Sequence, residues 1–238
     1  MDKLNGKVAL ITGGAKGIGF GIAKSLVDAG IRVCLTGRDK DSLDEASKSL
    51  NAGRDLVMAL GIHADVRSLN DMEEVVHQLL GEWGKLDIVV ANAGVGHFAP
   101  IGSITVDQWQ ETLDTNLTGV FYTIRASLES LKTSKGYLIT IASLAGTNFF
   151  AGGAAYNASK FGLVGFTQAV MLDLRQFCIK TTTIMPGSVS SFFNGNVPGP
   201  EDHWKIQPED MGQLVTDLLR MPWRTLPSKV EVRPTQPG

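Results

Sequence analysis

Lys7-Val8-Ala9-Leu10-Ile11-Thr12-Gly13-Gly14-Ala15-Lys16-Gly17-Ile18-Gly19-Phe20-Gly21-Ile22-Ala23-Lys24-Ser25-Leu26 reads as three consecutive pieces. Residues 7–12 form an apolar run with strand character. Residues 13–19 form a glycine-rich turn, and an amphipathic helix follows. Glycine lets the backbone approach a pyrophosphate closely. The helix N-terminus beyond it offers free N–H groups and the positive end of a dipole. The spacing is Gly-x3-Gly-x-Gly rather than Gly-x-Gly-x-x-Gly, but its place between a strand and a helix is the place of a nucleotide cradle.

The rest of the chain continues this alternation. Strands are expected near 7–12, 31–36, 56–62, 86–91, 136–142, 179–185 and 229–233. Helices are expected near 17–29, 40–51, 68–83, 105–132, 155–177 and 208–220. Strands alternating with helices imply a parallel sheet covered on both faces. The run Leu86-Asp87-Ile88-Val89-Val90-Ala91 is almost wholly apolar, as such a sheet requires. The expected fold is a single α/β domain over residues 1–238, a Rossmann-type doubly wound parallel sheet of about seven strands. In such a sheet, ligands bind beyond the carboxyl ends of the strands. Gly13, Asn92, Ser143 and Pro186 all fall there. A short lid over substrate is expected near 190–207.

Tyr156 and Lys160 stand four residues apart in Tyr156-Asn157-Ala158-Ser159-Lys160, and Ser143 lies thirteen residues upstream. On a helix, residues i and i+4 share a face. A phenol titrates near 10 in isolation, and a neighbouring ammonium favours its ionised form. Tyr156 is thereby a candidate general acid/base. Two hydroxyls, from Ser143 and Tyr156, also suit a carbonyl oxygen that gains charge as hydride arrives at its carbon.

Together these residues resemble the pattern of the short-chain dehydrogenase/reductases. The pattern stands here as Thr12-Gly13-x-x-x-Gly17-x-Gly19, Asn92-Ala93-Gly94, Asn116, Ser143, Tyr156-x-x-x-Lys160 and Pro186-Gly187. It spans nearly the whole chain. Two departures are small: Ala91 precedes Asn92 where many members have a second Asn, and Ser191 stands where many carry Thr. The resemblance implies that Tyr156 exchanges the proton of the substrate oxygen and that Ser143 hydrogen-bonds the same oxygen. It implies that Lys160 lowers the Tyr156 pKa and binds ribose hydroxyls, and that Asn116 holds a water linking Lys160 to solvent. The implied cofactor contacts are Gly13, Lys16, Gly17, Ile18, Gly19, Arg38, Asp65, Val66, Asn92, Ala93, Gly94, Tyr156, Lys160, Pro186, Gly187, Val189 and Ser191. Asp65 and Val66 would meet the adenine.

The end of the second strand bears on the cofactor. NAD-dependent enzymes place a carboxylate there for the ribose 2′-OH. In the family that carboxylate usually sits where this chain has Gly37. Arg38 follows, and Lys16 stands in the turn. Two cations suit a 2′-phosphate, so NADP(H) is favoured. In the alternative, NAD(H) binds, Asp39 takes the 2′-OH and Arg38 stacks on adenine.

The formal net charge of −2 gives no electrostatic reason to expect nucleic acid or an acidic membrane as partner. No apolar run is long enough for a membrane span, and the lead Met1 to Gly6 is short and polar, so a cytoplasmic protein is expected. Cys34 and Cys178 lie in apolar strand-like segments and are expected as buried free thiols. His63, His77, His97 and His203 lack metal-ligand spacing, and no metal is expected.

Candidate pocket walls are Val95 to Phe98, Leu144 to Phe150 and Gly187 to Phe193, where Phe98, Phe149, Phe150, Phe192 and Phe193 make either a mainly apolar mouth or core plugs. The expected activity is NADP(H)-dependent hydride transfer to a small-molecule ketone or aldehyde, with a 3-oxoacyl thioester as one candidate. An NAD-dependent alcohol dehydrogenase is the alternative. A cofactor-sensing protein without catalysis is the third, and it would have little use for the Asn-Ser-Tyr-Lys set. The helix that carries Tyr156 is apolar around most of its circumference. Members of the family commonly pair this helix, so a homodimer or homotetramer is expected.

Overall fold

The computed structural model describes residues 4–236. Met1 to Lys3 of the polar lead and residues 237 and 238 lie outside the described residues. The strands are β1 (Val8–Thr12), β2 (Arg32–Gly37), β3 (Ala59–His63), β4 (Ile88–Ala91), β5 (Tyr137–Ile141), β6 (Lys180–Pro186) and β7 (Lys229–Val232). The helices are α1 (Gly17–Asp28), α2 (Lys40–Asn51), α3 (Leu69–Trp83), α4 (Val106–Leu113), α5 (Gly119–Ser134), α6 (Ala154–Leu174) and α7 (Pro208–Arg220).

The strands form one sheet in the order β3-β2-β1-β4-β5-β6-β7. Every pairing is parallel. Alternation along β1 shows how the two covered faces arise. Ala9 and Ile11 pack into one core with Ile22 and Leu26 of α1 and Met211 and Val215 of α7. Val8 and Leu10 point into the other, with Met72 and Leu79 of α3 and Leu163 of α6. Period-two side chains that are apolar on both faces require helices on both. The strand order reverses between β1 and β4, which opens a crevice at their carboxyl ends.

Helix starts follow local chemistry. Asp39 caps α2 by accepting from the Ser42 N–H, and Ser68 caps α3 by accepting from the Asp71 N–H. Thr105 and Gln108 form a reciprocal capping box on α4.

Four sequence expectations need correction. The helix expected over 105–132 is not continuous: α4 and α5 are joined by a π-helical segment, Asp114–Thr118. Such a bulge places one extra residue in the turn and re-aims its side chains. Strand β3 begins at Ala59 rather than 56, and Leu56 and Val57 are exposed. The helix expected over 155–177 ends at Leu174 and passes into a 3-10 turn, Arg175–Phe177. Cys178 follows that turn with φ 58° and is exposed, because it reverses the chain into β6 rather than belonging to the strand. Cys34 is buried in β2, as expected.

The segment 190–207 holds two 3-10 turns, Phe193–Gly195 and Pro200–Trp204. Its ends are fastened together: the Ser190 N–H donates to the Ile206 carbonyl at 2.9 Å, and the Ile206 N–H donates to the Ser188 carbonyl at 3.1 Å. Among the described residues, no helix is long and apolar enough to cross a membrane.

Candidate active site

A cleft of about 920 Å³ opens along the carboxyl ends of the strands. This is near the upper end of the range of small-molecule and cofactor sites, roughly 300–1,000 Å³. The residues that line it come from every part of the sequence pattern except Asn116. They include the turn residues Gly13, Lys16, Gly17 and Ile18, then Arg38, Asp65 and Val66, then Asn92, Ala93 and Gly94. Ser143, Tyr156, Lys160, Pro186, Gly187, Val189 and Ser191 complete that set. Gly19 and Asn116 do not line the cleft.

Gly19 is a packing residue. A Cβ there would run into the Gly13 carbonyl and lie 2.6 Å from Asn92 Nδ2. The turn itself requires glycine at Gly13 and Gly17, with φ 62° and 55°. It is held from behind by β4. The Asn92 amide donates to the carbonyls of Thr12 and Gly13, each at 3.0 Å. The Thr12 hydroxyl oxygen accepts from the N–H groups of Asn92 at 3.0 Å and Ala93 at 3.1 Å. Asn92 thus shapes the cradle through its side chain.

Two residues that line the cleft, Thr36 and Thr115, carry buried hydroxyls with no hydrogen-bond partner among the described residues. With the open glycine turn, they leave polar groups and space that fit a bound dinucleotide.

At the other end of the cleft, α6 brings Tyr156 and Lys160 onto one face, and Ser143 follows the end of β5. Lys160 is buried, its Nζ donating to the Ile141 carbonyl at 3.1 Å and lying 5.7 Å from the Tyr156 ring centre. Burial pushes the Lys160 ammonium down to about 8. The expectation that Lys160 lowers the Tyr156 pKa is corrected. Burial holds the phenol above its ordinary value, and the hydrogen bond with Ser143 offsets part of that rise. The ammonium faces a carbonyl and the ring, and desolvation of the phenol dominates.

Asn116 lies in the π-helical segment and is fully buried. Its amide donates to the Val95 carbonyl at 2.8 Å and to Ser159 Oγ at 3.0 Å, and its oxygen accepts from the Val95 N–H at 2.8 Å. It ties the loop after β4 to α6 and stands behind Gly94, where a Cβ would lie 3.2 Å from its oxygen.

A charge cluster centred on Glu111, which the sequence did not mark, lies in the cleft beside Arg38. Glu111 of α4 accepts from Arg38 Nη1 at 3.3 Å and meets His97 Nε2 at 2.9 Å. Arg67 Nη1 approaches the same carboxylate at 3.8 Å. These contacts hold the Glu111 carboxyl below its usual range, with His97 the largest cause. Asp65 is held low by its forked contacts with Arg67. No local motif marks Glu111, and only the fold brings α4 beside the loops after β2 and β4.

Aromatic rings crowd Tyr156. Phe98 lies edge-on at 5.3 Å between centroids, and Phe193 of the segment 190–207 lies at 5.6 Å. Gly96 leaves the room that the Phe193 ring occupies.

Comparison with known proteins agrees with this geometry. Residues 7–201 match the short chain dehydrogenase family. An uncharacterised oxidoreductase of Staphylococcus saprophyticus is 33% identical over 235 residues, covering 98% of this chain and 100% of the relative. An alcohol dehydrogenase from the archaeon Thermococcus sibiricus, solved with 5-hydroxy-NADP, superposes with a TM-score of 0.91 at 28% identity. It covers 98% of this chain and 99% of that one. A metagenomic short-chain oxidoreductase solved with NADP gives 0.85 at 32% identity, with the same coverage. With a glycine turn, a Ser-Tyr-Lys constellation and a reversed parallel sheet in one architecture, the chain belongs to the short-chain dehydrogenase/reductase family of NAD(P)-dependent oxidoreductases.

Proposed function

We propose that the protein is an NADP(H)-dependent reductase of a small-molecule ketone or aldehyde. The observation that carries this reading is that one continuous cleft joins the glycine turn and Arg38 to Ser143, Tyr156 and Lys160. When bound, the nicotinamide supplies the hydride, so the chain needs no nucleophile of its own. Tyr156 holds the proton that the substrate oxygen takes up. Its raised pKa keeps that proton in place at neutral pH, which suits the reductive direction. Ser143 shares a hydrogen bond with Tyr156 and aims a second donor at the same oxygen. Lys160 binds ribose hydroxyls, and its lowered pKa suits it to relay a proton beside the phenol. Asn116 fixes the π-helical segment against α6 and so positions Lys160 rather than touching substrate. The segment 190–207 acts as a lid through Phe193.

The cofactor preference rests on charge. Arg38 and Lys16 line the cleft at the end of β2, where a 2′-phosphate would sit. Asp39, the carboxylate that an NAD enzyme would turn to the 2′-OH, is already engaged by the Ser42 N–H at 3.2 Å and Ser42 Oγ at 2.8 Å. That commitment favours NADP(H) over NAD(H). The function is tested by NADPH absorbance against a panel of ketones, quinones and acyl thioesters. Consumption with at least one carbonyl class is expected. NADPH binding with no turnover of any would contradict catalysis and favour a cofactor sensor.

A further inference from the structure

A second cleft, of about 600 Å³, shares Ser143, Tyr156, Gly187 and Ser188 with the first. Phe149, Phe150, Trp204 and Arg233 are among the residues that line it. Arg233 is the only charged residue lining it among the described residues. Phe149 and Phe150 are both exposed, the former at 86%. Exposed aromatic rings gathered at a catalytic mouth are surface that a ligand covers.

Arg233 is placed there by the sheet. Strand β7 runs parallel to β6, with Val232 opposite Pro186. The carboxyl end of β7 therefore opens at the same edge as Ser143. The Gly187 N–H donates to the Val232 carbonyl at 2.8 Å, which anchors the backbone just before Arg233. Pro234 follows and fixes its own φ. A Cβ on Gly187 would lie 3.3 Å from Pro234 Cδ, so the bare glycine lets the tail close against the site.

We infer that the substrate is a keto acid: an apolar, aryl-bearing carbonyl compound whose carboxylate, removed from the reacting carbonyl, is recognised by Arg233. This rests on the reductase reading above. The rings take the hydrocarbon body, Ser143 and Tyr156 take the carbonyl oxygen, and the guanidinium takes the anion. A planar guanidinium matches a carboxylate through two parallel N–H donors. A doubly charged phosphate would find one cation where it needs more. Glu231 shares Arg233 through Nη2 at 3.0 Å. That pair lies in solvent, where such contacts are weak, and it engages one nitrogen of a five-donor group. The reaction balances as a simple reduction. One hydride goes to the carbonyl carbon, the carbonyl π pair moves to oxygen, Tyr156 supplies one proton, NADPH becomes NADP⁺, and the carboxylate is unchanged.

The test compares an aryl keto acid with its methyl ester, for example 4-benzoylbutanoate and methyl 4-benzoylbutanoate. Wild type is expected to favour the acid in kcat/KM by about fivefold, the scale of a solvent-exposed charge contact. In Arg233→Gln the ratio of acid to ester should fall to about one, and in Glu231→Gln it should rise. The preference should also shrink as salt is added. A wild-type preference for the ester, or a ratio unchanged in Arg233→Gln, would overturn the assignment while leaving the reductase reading intact. If neither compound is reduced, calorimetric titration of the keto acid into the NADP⁺-loaded protein decides. Binding lost in Arg233→Gln supports the subsite alone, and no binding, or binding equal in both proteins, overturns it.

Discussion

Arg38, which follows β2, reaches across the cleft to Glu111 on α4, with Nη1 and Oε1 at 3.3 Å. The cation proposed to meet a cofactor phosphate is therefore already paired with a carboxylate. Phosphate must displace Glu111, or share the guanidinium with it.

Arg38→Ala is expected to remove most of the NADPH preference, and Lys16→Ala with Arg38→Ala to remove more. A charge-assisted contact to phosphate contributes on the order of ten- to a hundred-fold in affinity. Glu111→Gln is expected to tighten NADPH binding and to change NADH binding little. Titration of both cofactors at one ionic strength checks all three. Equal loss of both cofactors in Arg38→Ala would mean that Arg38 stacks on adenine.

Thr12→Val is expected to cost about 1–2 kcal/mol of stability, because two partly buried N–H donors lose their acceptor. Urea unfolding measures this. The cost should come with weaker cofactor binding, since the same bonds hold the glycine turn against β4.

Lys160 gives a pH signature. Its value falls from 10.5 to about 8 on folding. Between these values the unfolded chain holds a proton that the folded protein has released, so this group makes stability rise with pH across the window. Below about 8 both states hold the proton, and the folded state bears the full cost of a buried charge. Lys160→Met is therefore expected to melt higher than wild type near neutral pH without cofactor. The gap should close as pH approaches 10.5, and thermal scans across that range check it.

The alternation of apolar strands and helices was enough to read the sheet, and the spaced glycines and Tyr156-x-x-x-Lys160 were enough to place the cleft. The breaks were not legible. Asp114–Thr118 carries no proline or glycine, so nothing local announces a π turn between α4 and α5. Cys178 looks like strand because Ile179 and, apart from Lys180, the residues through Met185 are apolar or β-branched, yet its positive φ is set by the need to reverse the chain. Glu111 and Arg233 line the clefts only because the fold gathers segments distant in sequence at one edge. The pKa of Tyr156 could not be read from spacing, because burial opposes the neighbouring charge.

Phe121 of α5 and Phe161 and Leu172 of α6 are exposed, and the ring of Phe121 lies 6.4 Å from that of Phe166. One stripe of α6 faces the core, through Leu163, Thr167 and Met171. This second apolar face is expected to be covered by another copy of the chain. Light scattering should show a dimer or tetramer at micromolar concentration, and Phe121→Asp with Phe161→Asp should lower its order. A wild type that is monomeric there would contradict this.

Proton donation by Tyr156 is the centre of the account, and single-turnover reduction by Tyr156→Phe tests it most directly. The variant lacks the hydroxyl proposed to donate to the substrate oxygen. It keeps the ring that packs against Phe98 and Phe193. Loss of a positioned general acid predicts a fall of about a hundred-fold or more in the chemical step, with NADPH affinity nearly unchanged. A variant that keeps a tenth of the wild-type rate, with chemistry shown to limit turnover, would contradict it.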